Sequence, residues 1–307
     1  MSIRRAGPRP AIALAALLGA SLSAQEIYKG RTDLVVLNVS VFDAAGRLVP
    51  GLERADFQVF EDNVAQEITN FTRDPQPIAL ALLIDSSVSM EPRMKTAQEA
   101  AIGFAKRLTP RDVAEVIDFD TYAQVLQPFT NDQEKLEAAI RKTDAGGSTA
   151  LHNALYIAFN EFKKERAKNA EEVRRQAVVL LSDGEDTSSV VSFDLVLDEA
   201  KRADVMTYAI GLRPKEPGAS RAWNEAEYVL RTISTETGGK SFVIDDAKRL
   251  PEIYNQIAQE LANQYTVGYV SRNQKKDGTW RKITVQMTKP ETMARTKAGY
   301  FAPTTPR

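Results

Sequence analysis

The sequence contains no cysteine and a single histidine. Disulfides, thiolate zinc sites, cysteine nucleophiles and two-histidine metal motifs are thereby excluded, and any metal must be held by oxygen. Neither sign of charge prevails, since 40 Lys plus Arg stand against 41 Asp plus Glu in 307 residues. With no bulk positive field to collect phosphates, nucleic acid is not an expected partner. An apolar run of the roughly 20 residues needed to cross a bilayer is also lacking. Residues 11–22 come nearest, but they follow Arg4, Arg5 and Arg9 and lead into Ser23 and Ala24. That order is the pattern of a secretory signal peptide, residues 1–24, cleaved near Ala24. The mature chain is therefore expected to be secreted or periplasmic, with no membrane span. The full sequence is 43% hydrophobic and 26% charged, the mix of an ordinary globular protein with enough length to bury a substantial core.

Hydrophobic periodicity divides this chain into three stretches. In residues 33–42, Val35, Leu37, Val39 and Val41 alternate with smaller or polar groups, which predicts a half-buried strand. Turns at residues 43–46 and at Asp62-Asn63 separate it from two further short strands, 55–62 and 66–72. The pattern changes after Pro75 and Pro77. Residues 78–84 are continuously apolar, as in a strand buried on both faces, and from there to about residue 263 strands alternate with amphipathic helices. Repeated βα units predict a doubly wound, mainly parallel sheet covered by helices on both faces. Beyond Gln264 strands return, at 265–271, 280–287 and 294–301. Neither terminal group is large enough to fold well alone. Residues 26–74 and 264–302 are therefore expected to pair into one small discontinuous β domain around the α/β insert, residues 76–263.

The chemistry concentrates where the first buried strand ends, in Asp85-Ser86-Ser87-Val88-Ser89. In a nearly extended segment alternate residues point to one side, so Asp85, Ser87 and Ser89 converge. One carboxylate and two hydroxyls are hard oxygen donors, suited to magnesium. Two further loops end at the same sheet edge if the strand order is the usual one. Gly146-Gly147-Ser148-Thr149 offers the Thr149 hydroxyl, and Asp183 follows the buried strand 177–182.

In these five residues, Asp85, Ser87, Ser89, Thr149 and Asp183, the chain resembles the von Willebrand factor type A domain, also called the integrin I domain, with its metal-ion-dependent adhesion site. The resemblance covers roughly residues 78–263. Val88 stands where many members carry glycine, at an unconstrained position of the motif. The resemblance implies one divalent cation, Mg2+ with Mn2+ or Ca2+ as alternatives. Ser87, Ser89 and Thr149 would be direct or near-direct ligands, with Asp85 and Asp183 often acting through water. It also implies a protein partner that completes the coordination with a Glu or Asp carboxylate, and adhesion rather than catalysis. The flanking strands, with Tyr265-x-x-Gly268-Tyr269 and a closing Gly299-Tyr300-Phe301, look like secreted bacterial proteins related to this family.

The same residues admit other readings. A magnesium-dependent aspartyl-phosphate hydrolase, resembling the haloacid dehalogenases, would share an Asp after a buried strand, with Ser182 and Asp245-Asp246 at strand ends. Ser87 stands where that chemistry wants a second aspartate for proton transfer, and an unperturbed hydroxyl is a poor replacement. A structural envelope protein with a vestigial site is the other alternative. His152 is expected to be structural, and Glu185 and Asp186 to add negative field or to be solvated.

Overall fold

The computed structural model describes residues 34–168, 174–213 and 220–304, and the predicted signal peptide lies outside them. The first strands are β1 (Leu34–Asp43), β2 (Phe57–Glu61), β3 (Val64–Gln66) and β4 (Ile68–Thr72). The α/β stretch then runs β5 (Ile78–Asp85), α1 (Met94–Ala105), β6 (Val113–Phe119), β7 (Ala123–Thr130), α2 (Gln133–Ile140), α3 (Leu151–Lys168) and β8 (Arg175–Ser182). It continues through α4 (Phe193–Ala203), β9 (Met206–Leu212), α5 (Ser220–Thr237), β10 (Ser241–Ile244) and α6 (Leu250–Ala262). Strands β11 (Tyr265–Val270), β12 (Trp280–Met287), β13 (Thr292–Arg295) and β14 (Gly299–Phe301) follow.

The central sheet has the order β10-β9-β8-β5-β6-β7, parallel except for the edge strand β7. Its two faces bury separate cores, one beneath α1, α2 and α6 and the other beneath α3, α4 and α5. This is the doubly wound arrangement. The continuous apolar run of β5 follows from it, because residues 79–84 have no solvent side to face. Local chemistry sets the helix ends. Asp132 accepts the Glu134 and Lys135 amides at the start of α2, and Gly238 ends α5 at φ +83°, where any Cβ would strike the Thr296 backbone.

The terminal strands form two antiparallel sheets, β13-β1-β11-β4 and β14-β12-β2-β3, around one shared core of Leu37, Val39, Phe57, Val59, Val267 and Ile283 with their neighbours. In the first sheet strands from the two ends of the chain alternate, so each end lacks its partners without the other. Expressed alone, residues 26–74 or 264–304 should therefore give the collapsed amide spectrum of an unfolded chain. A dispersed NMR spectrum from either would contradict that.

Two predicted strands prove to be pairs. The segment 66–72 breaks at Glu67, leaving β3 and β4 in different sheets, and the segment 294–301 breaks at residues 296–298 between β13 and β14. In both cases the chain crosses from one sheet to the other at a corner, which alternation along one segment does not report. The terminal sheets are tied to the α/β stretch through polar groups. Buried Glu260 of α6 accepts from Ser40 (2.8 Å) and Tyr208 (2.7 Å) and pairs with Arg295 of β13. Arg175, at the start of β8, donates to the Thr266 hydroxyl of β11 (3.1 Å) as well as to the carbonyls of Leu261 (3.0 Å) and Gln264 (2.9 Å).

Candidate metal centre

Strand β5 leads α1 to β6 on one side, whereas β8, on the other side of β5, leads α4 onward to β9. The crossovers thus diverge between β5 and β8. The carboxyl ends of these two strands are the position where open α/β sheets take ligands. Asp85 closes β5 there and is fully buried. Its Oδ1 accepts the Ser87 amide (2.9 Å) and its Oδ2 accepts the Ser182 hydroxyl at the end of β8 (2.5 Å). A single 3-10 turn, Val88–Met90, then folds the chain so that the Ser87 and Ser89 hydroxyls lie 3.1 Å apart. Ser89 donates to Asp183 Oδ1 (2.7 Å), and Arg93 pairs with Asp183 Oδ2. Four of the five predicted residues thus form one hydrogen-bonded cluster.

Thr149 reaches the same crest from the loop before α3. That loop is stitched to the first by Val88 N–H on the Gly147 carbonyl (3.3 Å) and Gly146 N–H on the Ser86 carbonyl (2.7 Å). Gly147 has φ +67°, and a Cβ there would lie 2.4 Å from the Thr121 hydroxyl, so close approach and backbone sign both require glycine. Thr149 is anchored by its backbone, with its amide on the Thr187 hydroxyl (3.0 Å) and its carbonyl accepting the Thr187 and Ser188 amides (2.9 and 3.1 Å). Its own hydroxyl lies against Gly184, 3.7 Å from where a Cβ would stand, one residue from Asp183.

The loop after β8 otherwise serves α3. Asp186 accepts the His152 amide (3.1 Å) and the Ser189 hydroxyl (2.6 Å), and Ser189 accepts the Asn153 amide (3.0 Å). Asp186 therefore satisfies a helix N-terminus instead of standing free in solvent. His152 packs on Phe193, as its structural reading expected. Sequence reasoning missed Arg93, and it raised Ser182 only for the hydrolase alternative. Arg93 carries no motif signal, because nothing local links it to a residue 90 positions away.

The electrostatics favour a cation. Burial pushes the Asp85 carboxyl up to about 6, the negative charge of Asp183 adds to this, and the hydrogen bonds from Ser182 and Ser87 oppose it. Burial likewise raises Asp183, against the Ser89 hydrogen bond and the Arg93 charge. Among the described residues no group of three or more carboxylates or imidazoles is suited to a metal. The donors here are two carboxylates and three hydroxyls. Such an all-oxygen set, holding two desolvated acids against one guanidinium, fits a hard divalent cation. Around it Val88, Tyr122 and Val190 are 62%, 77% and 91% exposed.

A doubly wound sheet with hydroxyls and carboxylates gathered at its switch point defines a class of ligand-binding α/β domains. The family model for the von Willebrand factor type A domain matches residues 79–256, and the chain belongs to that family of protein-interaction modules. A UPF0353 protein of Mycolicibacterium paratuberculosis is 26% identical over 206 residues, 62% of each chain. The match thus spans about three fifths of that curated relative's own length. A second UPF0353 protein, from Mycolicibacterium gilvum, is 24% identical over 222 residues, 66% of each chain. Among solved structures, a von Willebrand factor type A protein from Catenulispora acidiphila superimposes with a TM-score of 0.52 at 14% identity. That match covers 91% of this chain and 76% of the other, so the likeness in fold extends beyond the α/β stretch into the terminal sheets.

Proposed function

We propose that this chain is a non-enzymatic, adhesion-type module working outside the cytoplasm, which binds a protein partner through a divalent cation held by Asp85, Ser87, Ser89, Thr149 and Asp183. The observation that carries this reading is the hydrogen-bonded convergence of Asp85, Ser87, Ser89 and Asp183 at the switch point, with Thr149 beside Gly184. Magnesium is the preferred ion, with manganese or calcium as alternatives. When bound, it would supply an open coordination position for an incoming Glu or Asp carboxylate.

The chain's own residues do the rest. Neutral Ser87, Ser89 and Thr149 hydroxyls offer lone pairs without cancelling the cation's charge, while Asp183 accepts the Ser89 hydroxyl and Asp85 accepts the Ser87 amide. An oxygen donor set so poor in carboxylates leaves a net attraction for an acidic visitor. Exposed Val88, Tyr122 and Val190 on the surrounding loops give a protein partner apolar surface to bury. An extracytoplasmic address rests on the signal-peptide pattern of residues 1–24. No helix among the described residues is long and apolar enough to cross a membrane.

Against a phosphate-transfer reading stands the engagement of Asp85. Both its oxygens accept hydrogen bonds, and the residue two positions on, Ser87, is no proton-transfer acid. The testing experiment is a pull-down from envelope extract with the protein as bait. Capture should vanish in EDTA and return with excess magnesium. Capture that persists unchanged in EDTA would overturn the cation-dependent mechanism, and phosphatase turnover lost in Asp85→Asn would replace it with the hydrolase.

A further inference from the structure

Arg93 brings a permanent positive charge into the site. It precedes α1, with its amide on the Met90 carbonyl (2.8 Å) and its carbonyl accepting the Ala97 amide (2.9 Å), so its backbone is set by the same turn that sets Ser89. The guanidinium pairs with Asp183 Oδ2 while Ser89 holds Oδ1, and both oxygens of that carboxylate are therefore occupied. The two partners differ in exposure, since the Asp183 side chain is 1% exposed and that of Arg93 is 20%. Water reaches the cation and not the anion.

We infer that Arg93 is a tethered counter-ion that competes with the divalent cation for Asp183, and so sets how tightly the site takes its metal. This rests on the metal reading proposed above. Without metal, Asp85 and Asp183 carry two negative charges when ionised and Arg93 returns one, which keeps a desolvated acid pair from standing uncompensated. A dication entering the cluster meets a guanidinium already in contact with Asp183. Either Arg93 swings into solvent, which its partial exposure and flexible stem allow, or the ion binds against its repulsion. Both routes weaken metal binding relative to a site without the arginine. Ser89 is not displaced in this exchange, because a hydroxyl that donates its proton to Asp183 still has lone pairs to present. The guanidinium stays charged at any physiological pH, so the competition depends on metal concentration and not on protonation.

The test uses the full chain and manganese alone. Titration calorimetry on wild type, Arg93→Gln and Arg93→Lys should show the glutamine variant binding Mn2+ roughly tenfold or more tightly than wild type, with the lysine variant close to wild type. Arg93→Met keeps the stem without the charge and should match the glutamine variant. Without metal, the glutamine variant should melt below wild type, and Mn2+ should raise its melting temperature further than it raises that of wild type. Equal or weaker Mn2+ affinity in Arg93→Gln, with wild type binding, overturns the inference and leaves the metal reading standing. Absence of Mn2+ binding in every variant removes the metal reading and this inference with it.

Discussion

Asp85→Ala should lose about a hundredfold or more in Mn2+ affinity by calorimetry while its circular dichroism spectrum stays that of the wild type. A unit charge beside a dication in a partly desolvated crevice contributes several kcal/mol, and a hundredfold loss is only about 2.7 kcal/mol of that. The effect on stability should be small because two changes oppose each other. Alanine leaves the Ser182 hydroxyl and the Ser87 amide without their acceptor, which costs about 1–3 kcal/mol. It also removes a carboxylate whose burial is unfavourable when ionised, as its rise to about 6 indicates. Asp85→Asn separates charge from packing. Its oxygen keeps the Ser87 amide and its NH2 faces the Ser182 oxygen, so it should fold as well as wild type and still bind manganese poorly. If Asp85→Ala retained wild-type manganese affinity, the assigned ligand set would be wrong.

Glu115→Gln should stabilise the protein by about 3 kcal/mol at pH 7, read as a rise in the midpoint of denaturant unfolding. Glu115 is fully buried on β6, beside Ala81 of β5, and neither of its carboxyl oxygens has a hydrogen-bond partner. Burial, reinforced by Glu161 and Glu165 of α3 and opposed by Lys164, pushes its carboxyl up to about 9. An acid whose folded value lies above its unfolded one must take up a proton on folding once the pH exceeds the unfolded value. The cost is absent below about pH 4.5, grows through neutrality and levels off near pH 9. Wild type should therefore be more stable at pH 5 than at pH 8, and glutamine, which has no proton to gain, should flatten this slope. At pH 5 the two proteins should nearly coincide, because a neutral amide replaces a neutral acid of the same shape. Equal slopes in both proteins would mean that Glu115 stays ionised with a partner.

Much of the architecture was legible before the fold. The alternation of Val35, Leu37, Val39 and Val41 put those side chains in the β core, and the unbroken run of β5 marked it as a central strand. These features are local, since a residue's burial partly dictates its neighbours at spacings of two or of three to four. The broken strands at Glu67 and at residues 296–298 were not legible, because a corner between two sheets leaves alternation nearly intact on both sides. The role of Asp186, expected to add negative field or to be solvated, was hidden for a similar reason. Its use at the start of α3 depends on where the loop after β8 lies, which no stretch of nearby residues records.

The sequence by itself determined the kind of site this chain can build. With no cysteine and one histidine a metal site had to rest on oxygen donors, and three loops at strand ends carried them in an order that the family resemblance could read. Tertiary structure alone decided which of those oxygens meet and what accompanies them. The strand order brought Ser182 to Asp85 and Ser89 to Asp183, set Arg93 against the same carboxylate, and left Glu115 without a partner beneath α3. Composition and periodicity act through a residue's immediate neighbours, whereas these encounters join segments about 100 residues apart, and only the packing of the sheet brings them within hydrogen-bonding reach.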